Sequence, residues 1–254
     1  MHQNERWNEI LILLKKYGFV TVKYLIDTLH YSNATINRDL NALEGQGLLK
    51  RCYGGAEPTN GAKVGIPLPF RYKKMHSEKL KIGELAASLV KDYDFIFIDG
   101  STTSEHMAKF LTEKKNITVV TNNLAAASFL SDFGVKTICL GGEIKEPPSM
   151  LSDSMTVENA LRFQYDKMFF STGYFTQDGR IYTDESYYLL FKAVAQNTSE
   201  TYYLADRSKT ESPTSSRKLL FDFRSVSGVI SDYTFNLETQ KKFQNTKFIE
   251  LKKD

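Results

Sequence analysis

Six side chains between positions 32 and 41 have the chemistry of base recognition at helical spacing: Ser32, Asn33, Thr35, Asn37, Arg38 and Asn41. An asparagine amide pairs bidentately with adenine, a guanidinium with guanine, and a hydroxyl with a base edge or a phosphate oxygen. A second set suits anions and sugar hydroxyls. Small, hydroxylated or amide residues recur in Asp99-Gly100-Ser101-Thr102-Thr103, Thr121-Asn122-Asn123, Gly141-Gly142, Ser171-Thr172-Gly173 and Asp206-Arg207-Ser208-Lys209. Glycine lets backbone amides approach an anion, hydroxyls at a helix N-terminus donate to phosphate oxygens, and the helix dipole adds favourable potential. Lys209 offers a balancing positive charge, while Asp99, Asn122 or Asp206 can accept from sugar hydroxyls.

The first set needs a helix that exposes it. Trp7, Ile10, Leu11 and Leu14 recur at i, i+3, i+4, i+7 before Gly18, and Val22, Leu25, Ile26 and Leu29 repeat the pattern over two turns. Tyr31-Ser32-Asn33 leaves room for one tight turn, and Ser32 can cap a third helix that buries Ile36, Leu40 and Leu43. Two short helices joined by a tight turn make a helix-turn-helix. Its outer face is then Asn33, Ala34, Asn37, Arg38 and Asn41, with Thr35 near the N-terminus. After Gly45 and Gly47, residues 48–56 alternate loosely and turn on glycine, which predicts a β-wing with Lys50 and Arg51 on phosphates. A small packed bundle has the same periodicity, so the pattern alone does not separate the two. Charge adds a pointer: residues 1–81 carry thirteen basic and seven acidic side chains, a net of +6, against −3 for the remainder. Such asymmetry points to a polyanionic partner for the basic segment.

The second set needs the edge of a sheet. Residues 57–69 hold three of the six prolines and two glycines, a composition that resists helix and strand. The expected organisation is a winged helix-turn-helix at 1–57, a linker at 58–75 and an effector-sensing domain at 76–254. The basic run from Arg71 to Lys81 can brush DNA or form a solvent-facing helix surface, the second being favoured, and leads into Ile82, Leu85, Ala86 and Leu89. Strands are expected at 94–98, 117–120, 136–140, 167–171, 201–205, 226–230 and 247–251. Helices fall at 103–112, 123–131, 154–163, 184–197 and 237–244. This alternation predicts a parallel sheet covered by helices, where ligands bind outside the C-terminal ends of the strands. Five of those ends are the second set. Any one alone is an ordinary turn or cap; five in register point to a shared cleft.

Composition narrows the classes. The 254 residues are 41% hydrophobic and 25% charged, which is ordinary for a globular chain. Cys52 and Cys139 form neither a disulfide framework nor a ligand spacing, so no metal or other cofactor is expected, and a reducing compartment fits. The N-terminus has no apolar run behind a basic start, and no uncharged apolar stretch of about 18 residues occurs, so a cytoplasmic chain that spans no membrane is expected. An enzyme remains the rival reading: Asp99, Asp184, Glu185, Asp206 and Lys209 are candidate acids and bases for a sugar-phosphate isomerase or acyl transferase with an accessory helix-turn-helix. Yet Gly141-Gly142 lacks the Lys-Ser/Thr of a phosphate-binding loop, and His2, His30, His76 and His106 have no evident partners. A purely structural interaction module is disfavoured by the polar strand ends.

The stretch from Ser32 to Glu44, with Gly47, Leu48, Arg51 and Gly54-Gly55-Ala56, closely resembles the N-terminal signature of the DeoR family of bacterial regulators. Asp99-Gly100-Ser101-Thr102-Thr103, Thr121-Asn122, Leu140-Gly141-Gly142, Gly173 and Asp206-Arg207-Ser208-Lys209 are similar to its sensor-domain motifs, so the resemblance runs from about Arg6 to about Ile230. It implies a small α+β winged helix-turn-helix followed by a larger α/β domain like ribose-5-phosphate isomerase and coenzyme A transferases, with phosphorylated sugars or related metabolites as effectors. The family usually has two arginines where this chain has Asn37-Arg38, a histidine at Tyr53, and an aromatic residue with glycine where Thr210-Glu211-Ser212-Pro213 stands. The segment Glu143–Pro148 is also stiffened by two prolines. The resulting expectation is a non-enzymatic repressor of sugar-metabolism genes. It binds double-stranded operator DNA through the first set and a phosphorylated sugar through the second. A homo-oligomer, dimer or tetramer, follows because one short recognition helix reads too few base pairs.

Overall fold

Apolar residues at helical spacing produce three helices where the periodicity places them: α1 (Gln3–Tyr17), α2 (Val22–Leu29) and α3 (Asn33–Gly45). The structure is a computed structural model that describes residues 3–52, 54–59, 68–146, 150–210 and 218–251. Strands β1 (Val20–Thr21), β2 (Leu49–Cys52) and β3 (Gly55–Pro58) make an antiparallel sheet with β3 in the middle, so the wing is present and β1 is an addition to it. Ile10, Leu14, Leu25, Ile36, Leu40, Leu43, Leu49 and Ala56 form the core of this part.

The chain divides into two compact units, Met1–Lys74 and Met75–Asp254. Part of the expected linker is helical: α4 (Leu68–Lys73) has Pro69 in its first turn, where a missing N–H breaks no intrahelical bond. The next helix, α5 (His76–Ser88), corrects a second expectation, because Lys79 is buried instead of lying on a wet face. Positions 79, 82, 83 and 86 share one helical stripe, and Ile82, Gly83 and Ala86 are all buried.

The second unit continues with β4 (Phe95–Ile98), α6 (Thr102–Leu111), β5 (Thr118–Thr121), α7 (Leu124–Asp132) and β6 (Lys136–Cys139). After β7 (Ile144–Glu146) and β8 (Met150–Leu151) come α8 (Ser154–Ala160), β9 (Tyr165–Phe170), β10 (Tyr174–Phe175), β11 (Arg180–Thr183) and α9 (Glu185–Gln196). The chain then runs through β12 (Thr198–Ala205), β13 (Lys218–Asp222), β14 (Gly228–Ser231), α10 (Leu237–Lys242) and β15 (Lys247–Glu250). Seven strands form one parallel sheet in the order β15-β14-β12-β9-β4-β5-β6, as the alternation of β and α segments requires.

Successive side chains of these strands go to opposite faces. Ile96, Ile98, Val119, Phe169, Tyr202, Leu204 and Ile230 pack under α5, α6 and α7. Phe97, Val120, Met168, Phe170, Tyr203, Ala205 and Val229 pack on the other side with residues of α8, α9 and a second, antiparallel sheet, β10-β11-β13. That small sheet and the β7-β8 hairpin are not foreseen by the sequence pattern. Among the described residues no helix is long and apolar enough to cross a membrane.

Candidate DNA-reading face and strand-end site

Helix α3 is built as expected. Ser32 caps it, its Oγ accepting from the Thr35 amide at 3.2 Å, and the two hydroxyls lie 2.9 Å apart. Asn33, Ala34, Arg38 and Asn41 are exposed, with Thr35 and Asn37 half-buried beside them. The anchor of α3 is a residue that no periodicity marks. Asp39, on the inner face, is fully buried and held by both arms of the Arg6 guanidinium, one at 2.9 Å, and by the Trp7 indole N–H at 3.0 Å. Arg6 also stacks 4.7 Å from the Tyr31 ring centre. Burial alone would raise the Asp39 carboxyl; the hydrogen bonds from Arg6 and Trp7 and the Arg6 charge outweigh it and hold the group below its usual range.

The wing treats its two basic residues differently. Leu49 and Arg51 share one side of β2 and Lys50 takes the other, as a period of two demands. Leu49 is buried, Lys50 is exposed, and Arg51 lies back along α3 rather than outward. Its guanidinium donates to Asn41 Oδ1 and, at 2.6 Å, to Asn37 Oδ1.

In the larger unit the five polar loops follow β12, β9, β4, β5 and β6, which are contiguous and parallel, so all five lie at one end of the sheet. The order of succession reverses between β4 and β9: from β4 the parallel sheet grows outward through β5 and β6, and from β9 it grows toward the other edge through β12, β14 and β15. Such a switch point opens a crevice at the carboxyl ends of the strands. A groove of about 390 Å³ lined by Thr112, Asn116, Phe133 and Lys136 lies instead at the N-terminal ends of β5 and β6 and includes no predicted effector residue.

Many of the predicted residues are engaged with their own loops. Asp99 is buried and accepts from the Ser101 amide at 3.0 Å, the Ser101 hydroxyl at 2.9 Å, the Ser104 hydroxyl and the Ser171 amide at 3.1 Å. It ties the end of β4 to the end of β9 across the switch point. Burial pushes its carboxyl up to about 6, and these hydrogen bonds pull the other way. Ser101 is the N-cap of α6. Ser171 donates to the Leu204 carbonyl at 2.5 Å, and Asp206 accepts from the Ser208 amide and hydroxyl. Thr121 Oγ1 accepts from the Asn123 amide, while Asn123 caps α7 and donates to Glu105 at 2.8 Å. Lys209, on a 3₁₀ turn, donates to the Thr172 carbonyl at 2.6 Å and so joins two strand ends, beside the exposed Gly173.

The outer loop is structural. A β-carbon on Gly142, which has φ +118°, would lie 2.1 Å from Thr156 Oγ1 and 2.5 Å from Asp153 Oδ1. Gly142 thus admits the capped N-terminus of α8, and Thr156 donates to the Gly141 carbonyl at 2.8 Å. Inserted β8 lies across the neighbouring ends: Asn122 and Leu151 exchange two hydrogen bonds, and a β-carbon on Gly100 would meet Met150 Cγ at 2.7 Å.

Two polar atoms in these loops remain unpaired. Thr103 Oγ1, in the first turn of α6, and Asn122 Oδ1, just after β5, are buried without a hydrogen-bond partner beyond the ends of adjacent strands β4 and β5. Thr102 is buried at the same helix start, and its carbonyl accepts from His106 Nδ1. His76 and His106, without evident partners in the sequence, lie 3.0 Å apart, Nδ1 to Nε2, and burial lowers His106. Tyr53, Pro147-Pro148 and Glu211-Ser212-Pro213 lie outside the described residues.

The DeoR-like helix-turn-helix domain family matches residues 6–60, and the DeoR C terminal sensor domain family matches residues 74–233. The HTH-type transcriptional repressor GlcR of Bacillus subtilis is 34% identical over 211 residues, 82% of this chain and 81% of that protein. The lactose phosphotransferase system repressor of Lactococcus lactis is 32% identical over 213 residues, 82% of this chain and 84% of that one. Among solved structures, ribose 5-phosphate isomerase A of Methanocaldococcus jannaschii aligns with TM-score 0.40 and 16% identity over 54% of this chain and 55% of its own. With both halves matched by the paired domains of one family, the chain belongs to the DeoR family and is a DNA-binding transcription regulator, not an enzyme.

Proposed function

We propose that the chain represses sugar-metabolism genes in the cytoplasm, with α3 in the major groove of double-stranded operator DNA and a phosphorylated sugar at the strand ends as effector. The observation that carries the DNA half is α3 itself: one face is fixed to α1 by the Asp39–Arg6 pair, and the opposite face exposes Asn33, Arg38 and Asn41. In this reading residues 1–57 bind DNA, with Lys50 on phosphate, 58–75 connect and 76–254 sense. A homo-oligomer, dimer or tetramer, supplies repeated half-sites.

The effector half is supported by the switch point, the two buried unpaired atoms and the names of the relatives, one of which is a repressor of a lactose phosphotransferase system. The site centres on Gly100–Thr103, Asn122, Gly173 and Lys209, at the N-terminus of α6. Asp99 and Asp206 shape the loops from within, and Thr121, Asn123, Gly141 and Gly142 support them from the side.

The experiment is a shift assay of the full chain on DNA upstream of its own gene neighbours, with and without a panel of sugar phosphates at fixed salt. Arg38→Ala is expected to weaken binding about 10- to 100-fold and relax preference at one base pair, the range of one bidentate contact. Unchanged affinity and preference would remove α3 from the interface. A shift that no sugar phosphate alters would remove the effector assignment.

A further inference from the structure

We propose that Arg51 is a specificity-positioning residue, not a phosphate contact: it sets which way the amides of Asn37 and Asn41 face on α3. The inference rests on α3 being the helix that reads DNA.

The two asparagines stand one helical turn apart, and the guanidinium spans both. It donates to Asn41 Oδ1 through one terminal nitrogen and to Asn37 Oδ1, at 2.6 Å, through the other. Arginine has only donors, so the amide atom that faces it must be oxygen. An isolated asparagine amide turns over freely and presents donor or acceptor with equal ease; these two do not. The Asn37 amide nitrogen is held on its far side as well, donating to the Asn33 carbonyl at 3.0 Å and to Asn33 Oδ1.

The arginine is fixed in turn. Its own backbone N–H donates to Glu44 Oε1 at 2.7 Å, and β2 places it on the same side as buried Leu49. With both oxygens committed to the wing and both Asn37 N–H groups given to Asn33, Asn37 braces the fork and the Asn41 amide is left to offer the DNA its donors. Donors in the major groove match acceptors: purine N7, guanine O6 and thymine O4, and not the cytosine amino group. Lysine cannot replace the fork, because one ammonium does not hold two amides in a plane.

The test uses the full chain and a randomised double-stranded DNA library, comparing the wild type with Arg51→Lys and Arg51→Gln. Enriched sequences give base preference, and binding of one enriched duplex across salt concentrations gives the slope of log K against log salt. Arg51→Lys is expected to keep affinity within a few-fold and leave the salt slope unchanged, while preference at the position under Asn41 falls about tenfold. In an Asn37→Ala, Asn41→Ala background the same change should have no further effect on preference. If preference survives Arg51→Lys, and Arg51→Gln weakens all sequences alike and lowers the slope by about one, Arg51 is a phosphate contact and the proposal is overturned. A wild-type preference that Arg38→Ala leaves intact would overturn the reading of α3 instead, so the two failures are distinguishable.

Discussion

Thr103 carries an atom that the free protein does not use. Its hydroxyl is buried and unpaired, a state that costs on the order of 1–3 kcal/mol relative to a satisfied group. Thr103→Val keeps the shape and removes the oxygen. The ligand-free variant is therefore expected to be as stable as the wild type or more stable, by up to about 1–3 kcal/mol in denaturant melts. If the hydroxyl waits for an effector oxygen, the same variant gains less thermal stabilisation from a sugar phosphate than the wild type does. A destabilised variant, or one stabilised equally by ligand, would contradict that role. Asp99 shows the opposite disposition: four hydrogen bonds converge on it, and it shapes the loop without facing outward. A carboxylate and a hydroxyl four positions apart thus have separate tasks that residue type alone does not distinguish.

Helix α3 owes its setting to an ion pair whose members are 33 residues apart. Removing one partner of a buried pair leaves an uncompensated charge and typically costs about 3–5 kcal/mol. Asp39→Ala is expected to destabilise the N-terminal unit by that amount at neutral pH, measured by denaturant unfolding, while Arg6→Met with Asp39→Leu recovers most of it. The folded carboxyl lies below its unfolded value of about 3.9. Its contribution is thus present above that pH and lost as pH falls through the folded value, so the gap between wild type and Asp39→Ala should close on acidification. A gap that persists in acid would mean the loss comes from packing. This pair was not legible in the sequence, because charges at positions 6 and 39 do not announce that they meet. What was legible is what repeats: the leucine and isoleucine stripes of α1 to α3, the Ser32 cap, and the seven parallel strands within a few residues of their ends. Arg51 was half legible, since a period of two from Leu49 turns it toward α3 although its charge suggests phosphate. The strands of β7-β8 and β10-β11-β13 are only two to five residues long and pair across gaps that no local pattern records. The five strand ends were legible as a set, but their division into ligand-facing and self-engaged atoms depends on partners brought from other loops.

Regulation requires that what happens at the strand ends of one unit alter what α3 does in the other. Each unit has its own core, with Ile10 to Ala56 in one cluster and residues from Ile82 onward in the other two. Any influence must therefore pass as a coupling free energy between two binding equilibria, and such coupling is reciprocal. If a sugar phosphate changes the operator Kd of the full chain by some factor, saturating operator must change the sugar-phosphate Kd by the same factor and in the same sense. Typical couplings of about 1–3 kcal/mol correspond to roughly 5- to 150-fold, well within the range of anisotropy on labelled operator and calorimetry on the sugar phosphate. Equal factors at matched salt and temperature would establish that one two-state molecule links the sites. Unequal factors would reveal a third linked equilibrium, for which the proposed subunit assembly on repeated half-sites is the natural candidate. Two Kd values that ignore each other would leave a DNA-binding unit and a sugar-phosphate-binding unit on one chain with no regulatory link, and the repressor would then have to be controlled by something other than the strand-end site.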